Sequence, residues 1–301
     1  MPKPLRLGIS GSSFVNVMPS EILSAAYLTA LRDRPGRLDD RQNRMMADFM
    51  RDLMRAVSSC GIEAMECYHS TSWDDDLVLQ PVEEARGVEL WSVHAPYGRY
   101  FDPSSPDEEA RESAVAGLLD TVAVARRLGI ELVVVHPGAN IDCDVPKRAR
   151  LDLAVQSLSR AADVAAEDGV ALVVEPLPKN EPGNSLDEVM WIIAQINRPN
   201  VGINFDVNHV FPPEEMPGLI RRAGSQVMSV HISDQDGQER HWMPFEGRLD
   251  WKGIVESLRQ IGYRGPLIYE AHVKGAKSCE EVARAVVENY RRLAAVGGVG
   301  C

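Results

Sequence analysis

The sequence is short of several things at once. No apolar run approaches the roughly 20 residues that cross a bilayer as a helix, so no membrane span is expected. Cysteine is sparse: Cys60, Cys67, Cys143, Cys279 and Cys301 form an odd set with no Cys-x-x-Cys spacing. That pattern excludes a disulfide framework and points to a reducing compartment. The opening MPKPLRLGIS runs straight into a strand-like stretch without a signal-peptide core, so a cytoplasmic location is expected. Positive charge is also scarce, with 32 Lys and Arg against 44 Asp and Glu and a formal net charge of −12. Nucleic-acid phosphates and anionic membranes are held by clustered cations, so neither is an expected partner. A glycine-rich phosphate loop is missing too, and GISGSSF is only a loose imitation of a dinucleotide fingerprint.

What is present is ordinary globular composition, 45% hydrophobic and 25% charged over 301 residues. Short apolar runs at strand spacing occur at Leu5–Ser10, Ile62–Cys67, Val88–Val93, Ile130–Val135, Val170–Val174, Val201–Phe205, Val227–Val230 and Pro266–Tyr269. Helical periodicity follows them, near Met45–Ser59, Val82–Arg86, Ser105–Leu128, Lys147–Glu167, Ser185–Ile196, Pro213–Ala223, Asp250–Gln260 and Ser278–Gly297. Ser105 with Glu108, Ser185 with Glu188, and Ser278 with Glu281 read as helix starts, and Gly61, Gly129 and Gly169 as stops. Strand–helix alternation predicts a parallel sheet. Eight units with no second composition regime predict an α/β fold, a closed (β/α)8 TIM barrel in a single domain, 1–301. An open doubly wound sheet is the alternative.

The strand ends carry the chemistry. Seven of the eight runs stop at an acidic or imidazole group: Glu66, His94, His136, Glu175, Asp206 with His209, His231 and Glu270. A barrel brings strand C-termini to one mouth. Carboxylates crowded there repel one another unless a cation sits among them. Imidazole with carboxylate suits Mn²⁺, Mg²⁺, Co²⁺ or Zn²⁺. Glu175, Asp206, His231 and Glu270 end four consecutive strands and form the best ligand set. Three carboxylates with one imidazole lean toward a hard or borderline ion.

These residues carry a resemblance. HAPY at 94–97, HPG at 136–138, Glu175, Asp206-x-x-His209, His231 and the closing RHWMPFEGRLDW with its later strand ending in Glu270 are similar to the xylose-isomerase-like TIM-barrel superfamily, in particular its sugar phosphate isomerase/epimerase branch. The resemblance covers nearly the whole chain. It implies one divalent metal ion, Mn²⁺ first among the candidates, held by Glu175, Asp206, His231 and Glu270. It also implies that Glu175 and Glu270 exchange the substrate proton, as in ketose 3-epimerases. Glu181, His209 and Arg240 match substrate contacts, and His94 and His136 are read as contacts of the same kind, with loop hydrogen bonding as the alternative. The expected partner is a small carbohydrate or polyol, unphosphorylated in the absence of a phosphate loop, and a homo-oligomer is allowed. Met243–Gly247 departs from the family's pattern, and Phe245 is expected to narrow the mouth.

The same superfamily holds endonuclease IV, a three-zinc DNA repair enzyme. Its ligands find counterparts in His94, His136 and Glu175, in the quartet, and in His209, Glu239 and His241, with Glu239 standing where Asp is expected. The net charge argues against that reading. Under the leading one, the ion stabilises an enediolate next to the carbonyl while a carboxylate removes the neighbouring proton. Return to the opposite face is epimerisation, return to the next carbon is isomerisation, and loss of a β-hydroxyl is dehydration as in inosose dehydratases. Blander readings cover the rest: Trp73, Trp242 and Phe245 as packing, Asp74–Asp76 as a solvated helix start, His272 as structural, and the Arg-rich segment 32–44 as a solvated loop.

Overall fold

Eight short parallel strands close on themselves in chain order, with β8 hydrogen-bonded to β1. They are β1 Leu7–Ser10, β2 Ala64–Tyr68, β3 Glu89–His94, β4 Leu132–Val135, β5 Ala171–Val174, β6 Val201–Asp206, β7 Val227–Ile232 and β8 Leu267–Tyr269. The structure is a computed structural model and describes residues 5–28, 36–140, 143–178 and 181–296. Residues 32–35 of the Arg-rich segment lie outside these; within it, Arg37 donates to the Trp73 carbonyl at 3.3 Å. Among the described residues no helix is long and apolar enough to cross a membrane, and Cys60, Cys67, Cys143 and Cys279 are free thiols.

The boundaries shift for local reasons. The helix expected from Met45 starts at Asp40, because Asp39 and Gln42 form a capping box that the apolar pattern does not reveal. β2 starts at Ala64, since the Ile62 N–H still bonds back to the Val57 carbonyl while Gly61 turns the chain at φ +77°. The expected cap Ser105 instead accepts from the Asp107 N–H, and the Asp107 carboxylate caps helix Glu108–Leu128. Ser185 does cap Leu186–Ile196 through the Glu188 N–H, and Gly129 ends Glu108–Leu128 in the left-handed conformation. Asp74 caps a short helix, Asp75–Val78.

Period-two alternation sorts the strand residues into two layers. On β4 and β5, Val133, Val135, Leu172 and Val174 join the large apolar layer under the helices. Their alternates Leu132, Val134, Ala171 and Val173 form a separate plug in the bore with Trp91 and Met228. Helix Asp40–Ser59 seals its side of the barrel with Met46, Phe49, Met50, Leu53, Met54 and Val57, all buried. Burying each such side chain contributes about 1.5–3 kcal/mol before entropy is counted. Above the plug the bore turns polar: Ser10, Glu66, Ser92, Asn204 and Ser229 are completely buried.

Candidate metal centre

Each ligand-type residue lies two positions beyond an inward-facing strand residue, namely Val173, Asn204, Ser229 or Ile268. Asp206 ends β6, His231 lies within β7, and Glu175 and Glu270 follow β5 and β8 directly. One donor atom from each of the four lies within 4.8 Å of the others, and all four residues are buried. His231 Nδ1 stands 3.2 Å from Glu175 Oε2 and 3.0 Å from Glu270 Oε2.

The remaining atoms of these side chains are tied down. Glu175 Oε2 accepts from Asn204 Nδ2 at 2.6 Å. Asp206 Oδ1 accepts from the Asn208 N–H at 2.7 Å. Glu270 Oε1 accepts from Ser12 Oγ at 2.9 Å and Tyr68 OH at 3.1 Å. His231 Nε2 meets Glu66 Oε2 at 2.9 Å, a bond that spans the bore between non-adjacent strands. Asp206 Oδ2, His231 Nδ1 and Glu270 Oε2 are buried without a well-directed hydrogen bond, although His231 Nδ1 faces Glu270 Oε2 at 3.0 Å and Asp206 Oδ2 faces His209 Nδ1 at 3.0 Å as charge contacts. An unsatisfied buried polar group costs about 1–3 kcal/mol, more when charged. Three such atoms converging on one point, with a mixed carboxylate and imidazole set, fit a divalent cation.

Electrostatics agree with the geometry. Burial opposes charge on His231, but Glu66, Glu270 and Glu175 outweigh it and hold the imidazolium well above its usual range. Burial likewise opposes ionisation of Glu175 and Glu270, and the facing His231 keeps both carboxyls below theirs. His209 is raised by Asp206, Glu175 and Glu239 against its burial. For His94 burial wins and, with His136 beside it, lowers the pKa.

The other predicted residues are distributed around this quartet. A mouth cavity of about 380 Å³ opens above it, and His136, Glu175, Glu181, His209, Glu239, His241, Glu270 and His272 are on its wall. His94 lies just below, its ring stacked on Tyr68 at 4.8 Å and its Nε2 3.9 Å from Glu175. His136 Nε2 is 3.7 Å from Glu175, and His209 Nδ1 is 3.2 Å from it. Burial pushes the Glu181 carboxyl up to about 7. Arg240 is not brought to the cavity: its guanidinium pairs with Asp236 at 3.0 Å and lies over Trp242. Phe245 does not narrow the mouth either. Its ring packs beside Trp251 with the Arg292 guanidinium over it, while its N–H is drawn to Asp234. Asp234, fully buried, also takes the Trp251 indole N–H and so folds this loop away from the mouth.

Sequence reasoning placed Glu66 at the mouth without a role, and passed over Asn204, Ser12, Tyr68 and Asp234. Glu66 is the hub beneath the ligands: Ser10, Ser92 and His231 all bond to its carboxylate. The available clue was periodicity, since Asn204 and Ser229 each precede a ligand by two residues and share its face. The clusters His94–His136–Glu175 and His209–Glu239–His241 are also assembled, each with donor atoms within 4.8 Å.

Comparison with known proteins follows the same lines. The D-psicose 3-epimerase of Ruminiclostridium cellulolyticum is 28% identical over 203 residues, 65% of this chain and 68% of that protein. A probable endonuclease 4 of Methanoculleus marisnigri is 30% identical over 215 residues, 64% of this chain and 75% of that protein. Among solved structures, a D-tagatose 3-epimerase-like protein superposes with a TM-score of 0.74 at 22% identity, covering 98% of both chains. A family model described as xylose isomerase-like TIM barrel matches residues 54–293, and the chain belongs to that family.

Proposed function

We propose that this chain is a divalent-metal-dependent sugar or polyol isomerase/epimerase that moves a proton next to a carbonyl. The observation that carries the reading is the convergence of buried donor atoms of Glu175, Asp206, His231 and Glu270 within 4.8 Å of one another, three of them without a well-directed hydrogen bond. These four residues would hold the ion, Mn²⁺ first and Mg²⁺, Co²⁺ or Zn²⁺ as alternatives. When bound, such an ion supplies a Lewis-acid charge that polarises a carbonyl and makes the neighbouring C–H acidic.

The chain's own residues do the rest. Glu175 and Glu270 follow two different strands and flank His231 Nδ1, each presenting a carboxylate to the site. One carboxylate takes the proton from one face of the substrate and the other returns it to the opposite face. Ser12 and Tyr68 fix Glu270 by one oxygen and leave the other directed at the site. His136, His209 and Glu181 line the cavity where sugar hydroxyls would lie. Relatives named as ketose 3-epimerases support this reading. The test is deuterium wash-in from D₂O at the carbon beside the carbonyl of a ketose. Wild type loaded with metal should exchange, and Glu270→Gln, assayed at a metal concentration that keeps its site loaded as checked by elemental analysis, should lose about a hundredfold or more. Unchanged exchange in that variant would remove the assigned role. Loss of a β-hydroxyl, measured as dehydrated product, would move the same site to the lyase class.

A second reading rests on a separate observation. The two outer clusters complete the nine-residue ligand pattern of a three-zinc nuclease, and a relative named as a probable endonuclease 4 supports it. It predicts about three zinc ions per chain and cleavage of abasic duplex DNA. The net charge of −12 weighs against it, since a duplex is bound through its phosphates.

A further inference from the structure

The wall of the mouth cavity is divided in charge. Its carboxylates, Glu175, Glu181, Glu239 and Glu270, come from the loops that follow β5, β7 and β8. The loops after β3 and β4 put Tyr97, Gly98, Arg99, Gly138, Ala139 and Asn140 on the same wall and, among the described residues, no carboxylate. Arg99 stands at the exposed edge and is the wall's one lysine or arginine among the described residues. Other exposed arginines of this acidic chain, such as Arg51, Arg55, Arg160 and Arg198, each hold a carboxylate. Among the described residues Arg99 holds none.

The loops that carry Arg99 and Asn140 are clamped together. Arg150, buried on helix Lys147–Glu167, pairs with the fully buried Asp102 at 2.8 Å. Its guanidinium also donates to Ser104 Oγ at 2.8 Å and to the Ala139 carbonyl at 2.7 Å, so one side chain joins the β3 loop to the β4 loop. Ser157 of the same helix donates to the Pro103 carbonyl at 2.8 Å. The loops meet so closely that a Cβ at Gly138 would stand 2.8 Å from Ser104 Oγ. Towards the metal centre, Tyr97 and His136 pack with ring centroids 4.5 Å apart, and His136 Nε2 is 3.7 Å from Glu175. This side of the cavity therefore runs from the quartet out to Arg99 on a framework set before any ligand arrives, which lowers the ordering cost of binding.

We infer that the β3 and β4 loops form a subsite for an anionic group, a carboxylate or phosphate carried by the substrate at the end remote from its reacting carbon, and that Arg99 selects it. An arginine fork meets either anion with two parallel charge-assisted bonds, whereas a neutral hydroxymethyl offers it a single ordinary one. Asn140 adds an amide donor beside it. A glycine-rich phosphate loop is not required, because a side chain does the recognition. The identity of the reacting part rests on the isomerase/epimerase reading; the subsite itself is tested by binding.

The experiment uses the metal-loaded full chain and three sugars: a ketohexose, the ketohexuronate made by oxidising its C6, and its 6-phosphate. Binding is measured by calorimetry, and deuterium wash-in is measured on the same samples. An exposed arginine–carboxylate pair alone is worth up to about fivefold. The bidentate fork and the Asn140 amide raise the expected preference for one of the anions over the parent to about tenfold. Arg99→Gln should bring that preference within about twofold, and Arg99→Lys should keep part of it. Arg264→Gln, an equal loss of charge just before β8 on the opposite face of the barrel, should leave it unchanged. The anion that gains more names the class, sugar acid or sugar phosphate. Equal binding of all three, or tighter binding of the parent, overturns the subsite whether or not exchange occurs. A preference that survives in Arg99→Gln overturns it too, because the anion is then held elsewhere, at the metal. A preference lost in Arg99→Gln, without exchange from any of the sugars, supports the subsite and counts against the isomerase/epimerase reading. Binding of none of the three overturns both.

Discussion

Of the three groups of potential metal-ligand side chains at the mouth, the inner quartet and the rim cluster His209–Glu239–His241 are built differently. In the inner quartet Asp206 and His231 are fully buried, Glu175 is 1% exposed and Glu270 7%. At the rim, the Glu239 side chain is 44% exposed. The quartet keeps Asp206 Oδ2, His231 Nδ1 and Glu270 Oε2 buried without a well-directed hydrogen bond, held only by charge contacts at 3.0 Å. The rim largely satisfies itself: His241 Nδ1 meets the Glu270 carbonyl at 3.0 Å and its Nε2 meets Glu239 at 3.3 Å, leaving His209 Nε2 as the rim atom without a partner. Ligand identity alone makes the two groups look alike. Unmet demand separates them: among the described residues the quartet has three buried atoms without a well-directed hydrogen bond, the rim one.

The largest effect that sharpens this contrast is metal content. Glu175→Ala or Asp206→Ala should abolish bound metal, while His241→Ala should leave about one ion per chain, read by elemental analysis of protein purified without chelator. Three ions in wild type, with one lost in His241→Ala, would break the comparison and favour the nuclease reading. Next comes the support beneath the quartet. Glu66→Gln keeps the shape but removes the charge that orients His231, and metal affinity should fall about ten- to a hundredfold by competition with a chelating dye. A third effect is pH. His231 is held protonated above the usual imidazole range, so loading the quartet must expel that proton. Affinity should fall about tenfold for each pH unit lowered, with one proton released per ion in weakly buffered calorimetry. The smallest concerns Glu181, whose carboxyl burial lifts from its usual 4.5 to about 7. The folded chain holds that proton more tightly than the unfolded one. The stabilisation is full below the usual value and is lost as pH rises through 7. Melting temperature between pH 5 and 8 should therefore decline more in wild type than in Glu181→Gln.

Much of this was legible in the residues. Val201, Ile203 and Phe205 before Asp206 mark a buried strand opening to solvent, and the same grammar repeated through His231 and Glu270 to give both the barrel and the mouth. The cross-bore partners were not legible. Glu66 reads in isolation as one more strand-end acid, and only closure brings it to His231, 165 residues away. Arg240 illustrates the converse. Its motif position is that of a substrate contact, yet an acid four residues earlier holds its guanidinium. The Asp40 helix start and the Asp107 cap depended on which of several nearby side chains wins a backbone N–H, a competition that periodicity does not describe.

The closing seam between β8 and β1 has a consequence in time. Ser12 donates to Glu270 across 258 residues of chain. During synthesis Ser12 emerges 258 residues before Glu270. Until β8 docks, three of the four ligands stand in an open, wet trough, where water satisfies them and a passing ion gains little. The four ligand-type side chains therefore come together only when the seam closes, so assembly of the candidate centre coincides with closure of the fold.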